Sequence, residues 1–74
     1  MPKLPRLKAT KLLKALKRAD FFIDHITGSH YILYKDDKTM PISVPRHNND
    51  LKLGTLRNIL RQAKMTVEEL IKHL

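Results

Sequence analysis

A histidine that directly follows a tight turn is the residue of this sequence best suited to chemistry. Gly28, Ser29 and His30 are consecutive, and glycine permits turns that other residues resist. The residues after them are typical of a strand, which would hold the imidazole of His30 in one direction. Because histidine exchanges protons near neutral pH, His30 is a candidate general base.

The net charge indicates what kind of molecule such a base would act on. The 74 residues include 15 Lys and Arg against seven Asp and Glu, a formal charge of +8 with neutral histidines. This excess favours a polyanionic partner: nucleic acid, an anionic membrane surface or an acidic protein. RNA carries its own nucleophile, the ribose 2′-hydroxyl, so one positioned histidine in a positive field is a minimal design for cleaving it.

Length and composition exclude several kinds of site. A chain of 74 residues is predicted to form one domain, residues 1–74, with a small core. The sequence has no cysteine, which excludes disulfides, thiol nucleophiles and cysteine zinc sites. No apolar run approaches the ~20 residues of a membrane span, and the basic N-terminus lacks the apolar stretch of a secretory signal. We therefore expect a cytoplasmic protein with no membrane association, cofactor or metal ion.

Hydrophobic periodicity predicts six elements in the order α-β-β-β-α-α. Apolar residues at helical spacing predict helices over roughly 9–19 and over 53–63, and a capping box at Thr66–Glu69 opens a short third helix. Pro41 indicates an edge position for the third strand. The order predicts an α+β fold, an antiparallel three-stranded sheet with helices on one face. Strands are predicted at three segments: 21–27, 30–35 and 40–44.

Side-chain alternation decides whether a ligand can reach the histidine. Successive strand residues point to opposite faces, so His30, Ile32 and Tyr34 share one face while Tyr31 and Leu33 share the other. The sequence leaves open which face the helices cover, and RNA can reach His30 if its face is uncovered. The two tyrosines could stack on bases, although we expect at least one of them in the core.

Five short motifs follow one another in an order and spacing that resemble a known family. They are Leu4-Pro5-Arg6-Leu7, Gly28-Ser29-His30, Val44-Pro45-Arg46-His47, the segment 54–60, and the segment 62–70. This set, which spans essentially the whole chain, resembles HicA toxins, the small mRNA-cleaving toxins of prokaryotic toxin–antitoxin pairs. The resemblance implies a fold similar to double-stranded-RNA-binding domains and ribonuclease activity centred on His30. It also implies a HicB-type antitoxin as partner in a hetero-oligomeric complex.

The chemistry can be written for these residues. His30, positioned by Gly28 and Ser29, would deprotonate a ribose 2′-hydroxyl, which attacks the adjacent phosphorus and leaves a 2′,3′-cyclic phosphate. Nearby cations would stabilise the charge on the phosphoryl oxygens, and the reaction needs no metal. The general acid stays open between His47, Lys35 and water. Basic residues are candidate RNA contacts: Lys11, Lys14, Lys35, Arg46, His47 and Arg57.

Four positions depart from the family pattern. Lys8 stands where Ser often opens the first helix, and Thr10 is the alternative N-cap. Asp20 and Lys64 stand where glycines are usual, and we expect Lys64 either to strain a left-handed cap of the helix or to change how the helix ends. His25 stands where Arg is frequent, and neutral imidazole is a poor substitute for guanidinium at a phosphate contact.

Other interpretations of the same residues remain open. A non-catalytic module of the same fold that binds double-stranded RNA or another nucleic acid would need the basic surface but not His30. The last two helices resemble a helix-turn-helix, although the Thr66 cap explains the break between them without DNA. His25 could face His30 across the hairpin, yet two histidines without cysteines or clustered carboxylates make an incomplete metal site.

Overall fold

Three helices and three strands follow one another in the predicted order. The computed structural model describes residues 3–36, 40–46 and 50–74. The strands form one antiparallel sheet in the order β1-β2-β3, so β3 is an edge strand, as Pro41 indicated. The predicted α+β fold of the double-stranded-RNA-binding-domain type is confirmed, with strand ends that differ by one or two residues. The elements are α1 (Ala9–Arg18), β1 (Phe22–Ile26), β2 (His30–Tyr34), β3 (Ile42–Pro45), α2 (Leu53–Ala63) and α3 (Val67–Lys72).

The helices pack on one face of the sheet. On that face Leu33 of β2 and Ile42 and Val44 of β3 are 0% exposed, and they share one apolar cluster with Leu12 and Leu16 of α1. Full burial of one such side chain contributes about 1.5–3 kcal/mol, so this cluster holds helices and sheet together. Within the described ranges, no polar or charged residue is buried, and no helix is long and apolar enough to cross a membrane.

Helix caps show where local sequence determines an element and where tertiary contacts do. The predicted Thr10 cap is wrong: Thr10 lies inside α1, and the N-cap is Lys8, without a side-chain cap hydrogen bond. Lys8 is extended and pairs with Asp50 in a β-bridge, so a contact distant in sequence sets the start of α1. The predicted capping box is confirmed, since Thr66 Oγ1 accepts from the backbone of Glu69 at 3.1 Å and Glu69 accepts from the backbone of Thr66 at 3.2 Å.

Two residues adopt the backbone conformation that favours glycine. The φ angle is 74° at Asp20, which follows α1, and 53° at Lys64, the left-handed C-cap of α2. The left-handed conformation costs a residue with a Cβ roughly 1–2 kcal/mol, with Asp among the more tolerant types. The expected strain at Lys64 is therefore present, and the departure from glycine at Asp20 has the same consequence.

Candidate active site

The turn between β1 and β2 is held by hydrogen bonds that converge on Thr27 and His30. The backbone N–H of Thr27 donates to the His30 carbonyl at 2.8 Å, and the N–H of His30 donates to Thr27 Oγ1 at 2.9 Å. The backbone N–H of Arg46 donates to the Ser29 carbonyl at 2.8 Å, which ties the turn to the end of β3. The chain entering β2 is thus fixed from both neighbouring strands.

Gly28 does not use the freedom of glycine in this turn. Its φ is not positive, and no atom lies within 4 Å of a Cβ built on it. The conformational reason for expecting glycine here is therefore wrong. The turn takes its shape from the hydrogen bonds of Thr27 and Ser29.

His30 lies on the face of the sheet opposite the helices. It alternates along β2 with Leu33 and Tyr31, which face the core, so its half-buried imidazole projects from the open face. Its Nδ1 lies 2.8 Å from the Oγ of Ser29. A hydroxyl can accept as well as donate. When Ser29 accepts, Nδ1 carries the proton and Nε2 presents the lone pair of a base.

Arg46 brings a positive charge to the same turn. Its Nη1 donates to the carbonyl of Thr27 at 3.3 Å, and its Cζ lies 5.4 Å from the centroid of the Tyr31 ring. Tyr31 packs against the apolar cluster, so the stacked guanidinium rests on a fixed surface. A guanidinium has five N–H donors, which leaves donors for an anionic group beside the turn.

A second histidine lies on the open face, one strand away. His25 is the cross-strand partner of Ile32, and Ile32 shares the face of His30, so the two histidines occupy diagonal positions. Diagonal neighbours of antiparallel strands lie about 7–8 Å apart. The Nδ1 of His25 lies 2.8 Å from the Oδ2 of Asp24, and Asp24 is the extra residue where the register shifts between Ile23 and His25.

The comparisons with known proteins identify the family. A family model described as the HicA toxin of bacterial toxin–antitoxin systems matches residues 9–65, more than half of the chain. The chain belongs to the HicA family. This membership gives it a toxin role in a toxin–antitoxin system. No curated protein matches the sequence.

The remaining candidate contacts that the structure of this HicA-family chain describes lie away from the turn. Lys35 follows the last residue of β2, about 16 Å from His30 at 3.3 Å per residue, and its Nζ lies 5.7 Å from the Phe21 ring centroid. Lys11 and Lys14 are exposed on α1 and line a groove with Arg18, His73 and Leu74. Arg57 is exposed on α2, and His47 lies outside the described residues. Among the described candidate cations, Arg46 is the one whose contacts join the His30 turn.

Aromatic side chains divide between the two faces of the HicA sheet. Tyr31 packs against the core, as expected for at least one tyrosine. Tyr34 lies half-buried on the open face opposite Phe22, which is 51% exposed. Sequence reasoning missed Phe22 on this face because the strand pairing that places it beside Tyr34 is not a local signal.

No metal-ligand cluster accompanies these side chains. In the described part of the chain, no three His, Cys, Asp or Glu side chains come together as a set that could hold a metal ion. Sequence reasoning considered that His25 could face His30 across the hairpin, and the strand register places the two at diagonal positions, but it missed the contact of Asp24 with His25. Adjacent Asp and His are visible in the sequence, but their placement beside His30 depends on the bulge.

Proposed function

We propose that this HicA-family toxin is a metal-independent endoribonuclease that cleaves mRNA, with His30 as its general base. The observation that carries the proposal is the placement of His30 on the open face, with its Nδ1 2.8 Å from Ser29 Oγ. Nothing in the described fold packs over this face, so a single-stranded RNA can approach the imidazole directly. The net charge of +8 attracts the substrate over longer distances.

The first half of the reaction follows from this geometry. Nε2 of His30 takes the proton of a ribose 2′-hydroxyl, and the oxygen forms a bond to the adjacent phosphorus. The bond from phosphorus to the 5′-oxygen breaks, which leaves a 2′,3′-cyclic phosphate and a 5′-hydroxyl. Arg46, which contacts the turn through the carbonyl of Thr27, is the candidate cation for the charge that develops on the phosphoryl oxygens. To reach a phosphate on the open face, its guanidinium has to leave the ring of Tyr31. A positioned base contributes about 10²–10⁴ in rate.

Replacing the base tests the proposal. We expect His30→Ala to abolish both the cleavage of labelled RNA and the growth toxicity, with an unchanged circular dichroism spectrum, and wild-type cleavage to survive excess EDTA. His73→Ala is the matched control, because His73 lies at the end of α3 and is expected to leave cleavage unchanged. Equal cleavage by wild type and His30→Ala would refute the general base. If wild type binds RNA without cleaving it, the chain is the nucleic-acid-binding module instead.

We assign the inhibition of the toxin to a HicB-type antitoxin that covers the open face of the sheet. Toxin and antitoxin would meet in the cytoplasm, where mRNA is translated. The exposed face and the positive charge favour a covering segment that is richer in Asp and Glu than this chain. The product of the adjacent gene should co-purify with the toxin, protect residues 28–34 from hydrogen exchange and stop cleavage. A complex that leaves those residues exposed and cleavage intact would rule out masking.

A further inference from the structure

We propose that His25 is the general acid of this cleavage, the group that protonates the 5′-oxygen as it leaves. The inference rests on the proposed function, because it supplies the second proton transfer of the same reaction. It is carried by two features of the described structure: the diagonal positions of His25 and His30 on the same face, and the carboxylate that contacts the His25 ring.

The diagonal positions of the two histidines suit a phosphodiester bound between their side chains. Since His25 pairs with Ile32, two residues along β2 from His30, both rings project from the open face. Residues at diagonal positions lie about 7–8 Å apart, so two side chains that project from the same face leave room for a phosphorus between them. The base and the acid can then each come within the roughly 2.6–3.2 Å of a hydrogen bond to a different oxygen of that phosphorus. A base and an acid placed on opposite sides of phosphorus are what an in-line displacement needs.

Asp24 determines which nitrogen of His25 transfers the proton. An ionised carboxylate only accepts hydrogen bonds, so the 2.8 Å contact between Oδ2 and the ring requires a proton on Nδ1. The nitrogen that gains and loses a proton is then Nε2. The same contact restrains the ring orientation, as a carboxylate does for a catalytic imidazole.

The β-bulge explains why Asp24 can do this. In a regular strand, neighbouring residues point to opposite faces, and Asp24 would point away from His25. The register shifts between Ile23 and His25, so Asp24 is the unpaired extra residue, and bulges commonly re-aim a side chain in this way.

The proton balance closes with these two residues. His30 accepts the 2′-hydroxyl proton as the new oxygen–phosphorus bond forms. His25 gives its Nε2 proton to the 5′-oxygen as the old bond breaks. Exchange with water then restores both rings, since the side chain of His25 is 55% exposed and His30 is only half-buried. The other candidate acid within the described residues, Lys35, lies beyond the far end of β2.

The decisive experiment removes the need for an acid. We would compare an ordinary RNA linkage with one whose bridging 5′-oxygen is replaced by sulfur, because a thiolate leaves without protonation. The His25→Ala variant should cleave the ordinary linkage about 10²–10⁴ times more slowly than wild type. It should cleave the sulfur linkage at nearly the wild-type rate. His30→Ala should stay inactive on both. His25→Gln, which is closer in size and polarity, repeats the comparison if the alanine variant does not fold.

The pH–rate profile gives an independent readout. A general acid must be protonated to act, so the cleavage rate of the wild type should decrease at high pH. In His25→Ala this decrease at high pH should be absent. The decrease in rate at low pH should remain in the variant. The other titratable groups that face His25 are Asp24 and, diagonally on β2, His30 and Tyr34. Tyr34→Phe should therefore keep the high-pH fall.

The outcomes separate the two proposals. An unchanged rate in His25→Ala, or an equal loss on both linkages, would overturn the role of His25 and leave the endoribonuclease proposal standing. A wild-type protein that cleaves neither linkage would overturn both.

Discussion

The Oγ of Ser29 lies 2.8 Å from the Nδ1 of His30. When the hydroxyl accepts this hydrogen bond, the turn that places the histidine also leaves Nε2 as the nitrogen that can act as a base. We therefore propose Ser29 as a positioning residue. The backbone of Ser29 has a separate task, because its carbonyl accepts the N–H of Arg46.

Removing the Ser29 hydroxyl should slow cleavage without unfolding the protein. A hydrogen bond of this kind contributes about 0.5–1.5 kcal/mol, so Ser29→Ala should lower kcat/KM on RNA by up to about tenfold. Ser29→Thr keeps the hydroxyl and should retain most of the activity. Gly28→Ala is the matched control for the turn, since a Cβ there meets no atom within 4 Å. Equal losses in the alanine and threonine variants would show that the hydroxyl does not orient His30.

The basic surface of α1 should contribute to RNA affinity through phosphate contacts. Lys11, Lys14 and Lys17 are all exposed, whereas the Arg18 guanidinium already donates to the carbonyl of His73 at 2.8 Å. With about six phosphate contacts on a single strand, affinity should fall by roughly 300-fold between 50 and 200 mM salt. Replacing the three lysines by Gln should reduce the slope of log affinity against log salt by about 2, which is about 0.7 per contact for a single strand.

This measurement is best made in the His30→Ala background, where RNA stays intact. A charge-matched control replaces three exposed cations outside α1 by Gln: Arg61, Lys64 and Lys72. A slope unchanged by the α1 substitutions, or reduced equally by both triple variants, would exclude α1 as a specific RNA surface.

The fold could be predicted from the sequence because the signals for its elements are local. The candidate site could be predicted only in part, because it also depends on strand pairing and helix packing. The capping box of Thr66 and Glu69 lies within one turn, and the structure has it as predicted. Alternation shows that His30 and Leu33 face opposite ways, but only the packing of the helices decides which face is open. The role proposed for His25 depends on a bulge, and a bulge shifts strand register without leaving a mark in hydrophobic periodicity. The Thr10 cap failed for a similar reason, since the pairing of Lys8 with a residue far along the chain starts α1.

Replacing Lys64 by glycine should stabilise the protein. Lys64 has φ 53° and ψ 42°, a conformation that costs roughly 1–2 kcal/mol with a Cβ, while glycine loses about 0.5–1 kcal/mol of that gain to its freer unfolded chain. We therefore expect Lys64→Gly to raise the free energy of unfolding by up to about 1.5 kcal/mol, measured by urea denaturation with an unchanged m value. Asp20→Gly should gain less, because Asp tolerates positive φ better than Lys does.

A charge effect must be separated from the backbone effect at Lys64, because any substitution there also lowers a net charge of +8. Lys64→Ala removes the same charge but keeps the Cβ, so it should give little or none of the gain. If alanine stabilises as much as glycine, relief of charge repulsion is the cause and the left-handed cap is not strained. If glycine alone stabilises, the end of α2 holds a backbone strain that the family's usual glycine would avoid.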